Sequence, residues 1–157
     1  MLYLFKTPKT VWQLAELCKT PKRLARWVWF RISYITDKEQ YGQMEHWPTA
    51  EQVLRTRKDD CDGISILCRD TLRLMGYSAY VHGIYAKDKG HAVCVYRDDR
   101  DIYWHLSNWG LHRVGNVVYD VPNKIYKNWK VWRIFGEGNK ILKEYINVNK
   151  TKVRRIK

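Results

Sequence analysis

Cysteine is sparse and wrongly spaced for a metal centre. Cys18, Cys61, Cys68 and Cys94 include no CxxC pair, which excludes the common zinc frameworks. The opening MLYLFKTPKT is too short an apolar run for a signal peptide, so a secreted disulfide scaffold is not expected. No apolar stretch approaches the ~20 residues that span a bilayer. Repeats and low-complexity tracts are also missing. These absences predict a cytoplasmic protein with free thiols, no cofactor and no membrane span. Acidic residues are in short supply, 16 Asp and Glu against 29 Lys and Arg.

What is present is enough for a core. The 157 residues are 45% apolar and include eight Trp and eleven Tyr, a composition that favours large aromatic contacts in a core or groove. The charge is uneven. Residues 1–40 carry eight basic side chains against three acids, residues 41–120 ten against eleven, and residues 121–157 eleven against two. A neutral middle with basic flanks fits either a surface kept soluble by Lys or a surface that meets an acidic partner. One domain over 1–157 is expected, with a basic tail from about residue 147.

Periodicity orders the elements. Val11 to Leu17 reads as a short helix. Thr20 then caps a longer one that opens at Pro21, with Leu24, Trp27, Val28 and Ile32 on one face. Thr36–His46 is polar and reads as a loop. A short helix follows Thr49. Next comes RKDDCDGISILCRDTLRLMGY, in which Asp59 or Asp60 caps a helix starting near Cys61. Ile64, Leu67, Cys68, Thr71 and Met75 form its apolar face, widened by Ile66, Leu72 and Leu74, and Gly76 ends it. The period then changes to two. SAYVHGI, HAVCVY and DIYWHLS read as strands, with VVYDV and KVWRIF as weaker ones. Helices first and an antiparallel run afterwards define an α+β domain with one long helix packed on a sheet.

Cys61 carries the candidate chemistry. Unpaired N–H groups and the dipole at a helix N-terminus favour thiolate, and the same groups can hold an oxyanion. Asp60 and Asp62 oppose the thiolate unless they are used as caps. The nucleophile therefore needs a base that becomes a cation beside it. His91 fits best, because it follows the KDKG turn and opens a strand that can face the start of the helix. His46 and His112 fall in expected loops. Cys68 and Cys94 lie within apolar faces, and Cys18 near a helix end is expected to be inert. Asn108, or Ser107 more weakly, could orient the imidazole from the next strand. Asn108 reads equally well as a turn residue before Trp109-Gly110.

The ordered motifs RWVWFRISYITD, HWPTAEQVLRTRKDDCDG, LRLMGY, GHAVCVY and YWHLSNWG resemble the transglutaminase-like superfamily, in particular the bacterial transglutaminase-like cysteine proteinases, over about Pro21 to Gly110. The resemblance implies a papain-like α+β fold with Cys61 on the central helix and His91 on the sheet. It matches Trp47 to a tryptophan near the catalytic centre, whose indole N–H would assist the Cys61 amide as an oxyanion donor; core packing is the competing account. Three positions depart from the pattern. Asp59 stands where the family has Gly, Gly63 stands where it often has an acid, and its third-residue Asp aligns with Ser107, next to Asn108.

The expected function is a cysteine-nucleophile hydrolase or acyltransferase acting on peptide or carboxamide bonds through a thioester. The alternative is a catalytically degenerate module of the same fold that docks on an acidic partner or nucleic acid through its basic flanks. A metal held by Cys61, His91 and Cys94 is disfavoured, because residues three apart on a strand point to opposite faces.

Overall fold

A computed structural model describes residues 1–149 and 152–155. The first half is helical. Helix α1 (Val11–Cys18) and helix α2 (Pro21–Arg31) are capped by the hydroxyls of Thr10 and Thr20, and Pro21 occupies the first turn of α2. The polar segment expected to be a loop holds helix α3 (Asp37–Tyr41) instead. Thr36 and Glu39 close a reciprocal capping box, which stabilises one helical turn without an apolar stripe. Helix α4 (Ala50–Thr56) repeats the device with Thr49 and Gln52. Helix α5 (Cys61–Leu74) is capped by Asp60, whose carboxylate accepts from the Asp62 amide. Two short strands, β1 (Ser33–Tyr34) and β2 (Lys58–Asp59), pair in parallel. They tie the end of α2 to the start of α5.

The second half is a seven-stranded sheet. Its strands are β3 (Ala79–Tyr85), β4 (Gly90–Arg97), β5 (Tyr103–Ser107), β6 (Gly110–Gly115), β7 (Val131–Phe135), β8 (Ile141–Asn149) and β9 (Lys152–Arg155). They lie in the order β6-β5-β4-β3-β7-β8-β9, and every pair is antiparallel. The expected α+β architecture, a long helix on an antiparallel sheet, is thus present. The segment VVYDV is not a strand. It forms a 3-10 turn at Val118–Asp120 and enters helix α6 (Val121–Ile125), with Pro122 in the first turn. A proline in the first turn lacks only a hydrogen bond the helix could not have made, whereas in a strand it would interrupt the ladder. His112 lies on β6 rather than in a loop. Of the basic tail, residues 147–149 complete β8 and 152–155 form β9; residues 150, 151, 156 and 157 lie outside the described residues.

Alternation along the strands sorts side chains between two layers. Val81, Ala92, Cys94, Tyr96, Leu106 and Phe135 face the helices and pack with Leu24, Trp27, Ile64, Leu67 and Leu72. Ile84, Val93, Val95, Trp132 and Tyr145 face the other way, under Val121, Ile125 and Trp129 from the α6 region. Each large side chain buried in these layers contributes ~1.5–3 kcal/mol. Helix α5 is buried along Ile64, Ile66, Leu67, Cys68, Thr71 and Leu72. Leu74, expected on that face, is instead 54% exposed at the last turn. Gly76 follows at φ +91°, where its amide reaches the Arg73 carbonyl.

Candidate active site

The start of α5 and the start of β4 meet. The Ala92 amide donates to Cys61 Sγ at 3.4 Å, which places the thiol against the residue that follows His91. Cys61, His91 and Trp47 line one cavity of about 440 Å³, closed by the β3–β4 hairpin at Tyr85, Lys87 and Lys89. No hydrogen bond joins the thiol to the imidazole directly among the described residues. Cys61 is half-buried, whereas Cys18, Cys68 and Cys94 are all at 0% exposure.

Burial holds both groups neutral. Desolvation pushes the Cys61 thiol up to about 11, with the Asp60 carboxylate adding to the rise and the Ala92 amide opposing it. Desolvation also pushes the His91 imidazole down to about 4. Each group alone resists charge. A proton passed from sulfur to ring nitrogen would leave opposite charges lining one cavity, where burial strengthens their attraction.

Trp109 covers the imidazole. Continuing the β4–β5 register, in which Cys94 pairs with Leu106, puts Trp109 opposite His91. Their rings stack at 3.7 Å between centroids and 16° between planes. The residue enters through a two-residue turn, Asn108-Trp109, which Gly110 completes at φ +98°, a conformation that costs glycine little. In the sequence, Trp109 read only as part of a turn.

The ring's Nε2 is buried with no partner among the described residues, and so is Asn108 Oδ1. An imidazole N–H and an amide oxygen are complementary, yet no hydrogen bond links them. Asn108 and Trp109 instead line a neighbouring groove with Ile32, Tyr34 and Ile64. Alternation places Ser107, opposite Val93, on the same sheet face as His91. Ser107 is buried, and its hydroxyl accepts from the Trp109 amide at 3.1 Å. Trp47 packs on Phe135 at 4.7 Å while facing the cavity, so packing and cavity lining coexist in one side chain.

Carboxylates crowd the other side of Cys61. Asp37, Asp59 and Asp60 each bring one oxygen within 4.8 Å of the others, a set of hard oxygens that could hold a divalent cation. A second cluster joins Asp60, Cys61 and Asp62. His91 and Cys94 enter neither, and Cys94 belongs to the helix-facing layer. Tyr41 donates to Asp59 Oδ2 at 2.9 Å, and the His46 amide donates to Asp37. Burial and the neighbouring Asp37 and Asp59 push Asp60 up to about 7. Burial is also the main cause that pushes Tyr34 up to about 12. Tyr34 and Asp37 both fall in the stretch RWVWFRISYITD.

The two departures beside the nucleophile compensate each other. A Cβ built on Gly63 would fall 2.1 Å from Asp59 Oδ1 and 2.3 Å from its Cγ. The Asp59 side chain therefore occupies the room beside the helix that a side chain at 63 would need.

No known family profile matches the chain, and no curated protein matches it. Among solved structures it is similar to a crystal structure from Cytophaga hutchinsonii named a "Putative Cysteine Protease", with 13% identity and a TM-score of 0.48 over 99% of this chain. The chain spans about half of that structure, 55% of its length.

Proposed function

We propose that the protein is a cysteine-nucleophile hydrolase or acyltransferase of transglutaminase-like type, acting on peptide or carboxamide bonds. The observation that carries this reading is the placement of Cys61 Sγ at the Ala92 amide, 3.4 Å away, in a cavity that His91 also lines. Cys61 attacks the carbonyl carbon while His91 takes the thiol proton, directly or through one water. The tetrahedral oxyanion is held by the Cys61 amide at the start of α5, and the Trp47 indole N–H is its second donor. Collapse expels an amine that takes the proton back from His91 and leaves an acyl-thioester. Water then completes hydrolysis, or an amine completes transfer. Asn108, with Ser107 the alternative, would steady the far ring nitrogen once its unpartnered Oδ1 turns to Nε2. The whole chain works as one such domain in the cytoplasm.

Iodoacetamide labelling tests this directly. Cys61 should react well before Cys68 and Cys94, and His91→Ala should slow Cys61 at least about tenfold, because general-base help is typically worth ~10²–10⁴. Exposure alone would give Cys61 priority, so the His91 dependence is the informative readout. Labelling of Cys61 at the same rate in His91→Ala would remove the case for an activated nucleophile.

A second reading has its own support. Nε2 of His91 lacks a partner among the described residues, as expected of a site that has lost its third member. In that case the scaffold is a binding module, and Cys61→Ala would leave its biological activity intact.

A further inference from the structure

The sheet face turned away from α5 is not wholly covered. Where the α6 region ends, a cavity of about 320 Å³ opens over β3, β4, β7 and β8. Its floor is Tyr80, His82, Val95 and Ile134, which the register places side by side: Tyr80 opposite Val95, and His82 opposite Ile134. Trp132 and Tyr145 form a closed wall, stacked at 4.5 Å and 21°. Tyr119 meets both edge-on at 5.7 Å but stays 49% exposed.

The charged groups that line it are cations. Trp132 Nε1–H donates to His82 Nδ1 at 3.1 Å. An indole nitrogen can only donate, so Nδ1 is bare and the ring proton sits on Nε2. Burial and the nearby Lys143 ammonium keep this imidazole neutral at physiological pH. Arg97 and Lys143 stand on the rim, and no Asp or Glu among the described residues lines the cavity. Arg97 reaches Asp101 at 3.4 Å, but both side chains are more than half exposed, a contact worth little. Lys143 makes no salt bridge among the described residues. The strands β7, β8 and β9 come from the chain's most basic segment, residues 121–157.

A ligand for this cavity must be flat, aromatic and anionic. Accessible tyrosine rings offer stacking surfaces that tolerate any base, and two separate cations suit a phosphate. The volume lies at the small end of ligand pockets, which run ~300–1,000 Å³, and so admits one base rather than several. We propose that this cavity is a nucleotide site, in which one nucleobase stacks on the exposed ring of Tyr119, with Tyr80 and Tyr103 bordering it, and its phosphate is held at the rim by Lys143, with Arg97 a second cation further along the rim. The nucleotide is either free or the end of a single strand. The site stands apart from the Cys61 cavity and does not depend on it.

Titration calorimetry of the whole chain with AMP, UMP and an eight-residue oligo(dT), at low and moderate salt, tests the proposal. Binding should be saturable and weaken with salt. Tyr119→Ala and Lys143→Gln should each weaken it at least about fivefold, with circular dichroism unchanged, since both side chains are exposed. Lys22→Gln on α2 and Cys61→Ala should bind as the wild type does. Saturation by a mononucleotide identifies a free nucleotide as ligand, and binding of the oligonucleotide alone identifies a strand; either supports the site if the two cavity variants lose it. No binding by any probe at millimolar concentration overturns it. So does binding that Tyr119→Ala and Lys143→Gln leave unchanged, which would assign the affinity to general surface charge.

Discussion

Asp59 and Gly63 are a matched pair. Each looks like a loss when set against the transglutaminase-like pattern, but the Asp59 carboxylate fills the space that glycine leaves open at 63. Substituting Gly63 alone should therefore be costly. Gly63→Ala forces a methyl into a buried carboxylate and should lose about 1–3 kcal/mol in urea unfolding, the usual cost of overpacking. With Asp59→Gly in place, the three atoms nearest to the methyl, Oδ1, Cγ and Cβ of Asp59, are gone. The same Gly63→Ala change should then become neutral or stabilising, because alanine is the better helix former by ~1 kcal/mol. A double-mutant cycle measures the sign change, and equal costs in both backgrounds would show that the two positions are not coupled. The position of Cys61 and the adjoining Asp59, Asp60 and Asp62 were readable, while the approach of Asp37 was not. Asp60 at the head of an apolar stripe announces a helix start, but the convergence of Asp37, Asp59 and Asp60 needs α3 and the β1–β2 pair, which no local pattern specifies.

Elements with a strong period were legible, and those held by contacts were not. Thr20-Pro21, the α5 stripe and the HAVCVY alternation each encode their own structure, and α2, α5 and β4 appear where expected. Helix α3 is one turn without an apolar face, stabilised by two side-chain caps, so hydrophobic periodicity could not find it. Strand β6 reads GLHRVG, too mixed for alternation, and exists because the Asn108-Trp109 turn returns the chain onto β5. That turn also governs the site, since it delivers Trp109 onto His91. If the indole is what keeps water from the ring, Trp109→Ala should move the His91 titration upward from about 4 towards its ordinary 6.5, because desolvation is the cause of the depression. The variant should also lose about 0.5–1.5 kcal/mol of stacking. Histidine NMR titration follows the first effect. An unmoved His91 would mean that β4 and its hairpin, rather than Trp109, exclude the solvent.

Across the molecule, buried ionisable groups set opposing responses to pH. His82, His91 and His105 are all at least 94% buried. Burial is the leading cause that lowers each, to about 3 for His82 and about 4 for the other two. An imidazole with a lower pKa folded than unfolded binds fewer protons in the native state, so its stabilisation is present above about pH 6.5 and is lost as pH falls towards 4. Asp60 works in the opposite direction. Raised to about 7 from 3.8, it binds its proton more tightly when folded, so its contribution is present at low pH and disappears as pH rises through 7. Asp59 is raised as well, chiefly by burial. Between pH 4 and 6.5 the histidines and the aspartates pull against each other. The three large histidine shifts should prevail, leaving the protein less stable at pH 5 than at pH 7.5 in urea unfolding. Asp60→Asn keeps a capping side chain but removes the opposing titration, so the difference between the two pH values should widen. His82→Gln keeps an acceptor for the Trp132 indole and removes one depressed imidazole, so the difference should narrow. If both variants shift the profile in the same direction, the opposition assigned to these two groups is wrong, and the pH dependence must arise in other groups that titrate in this range, such as His91, His105 and Asp59.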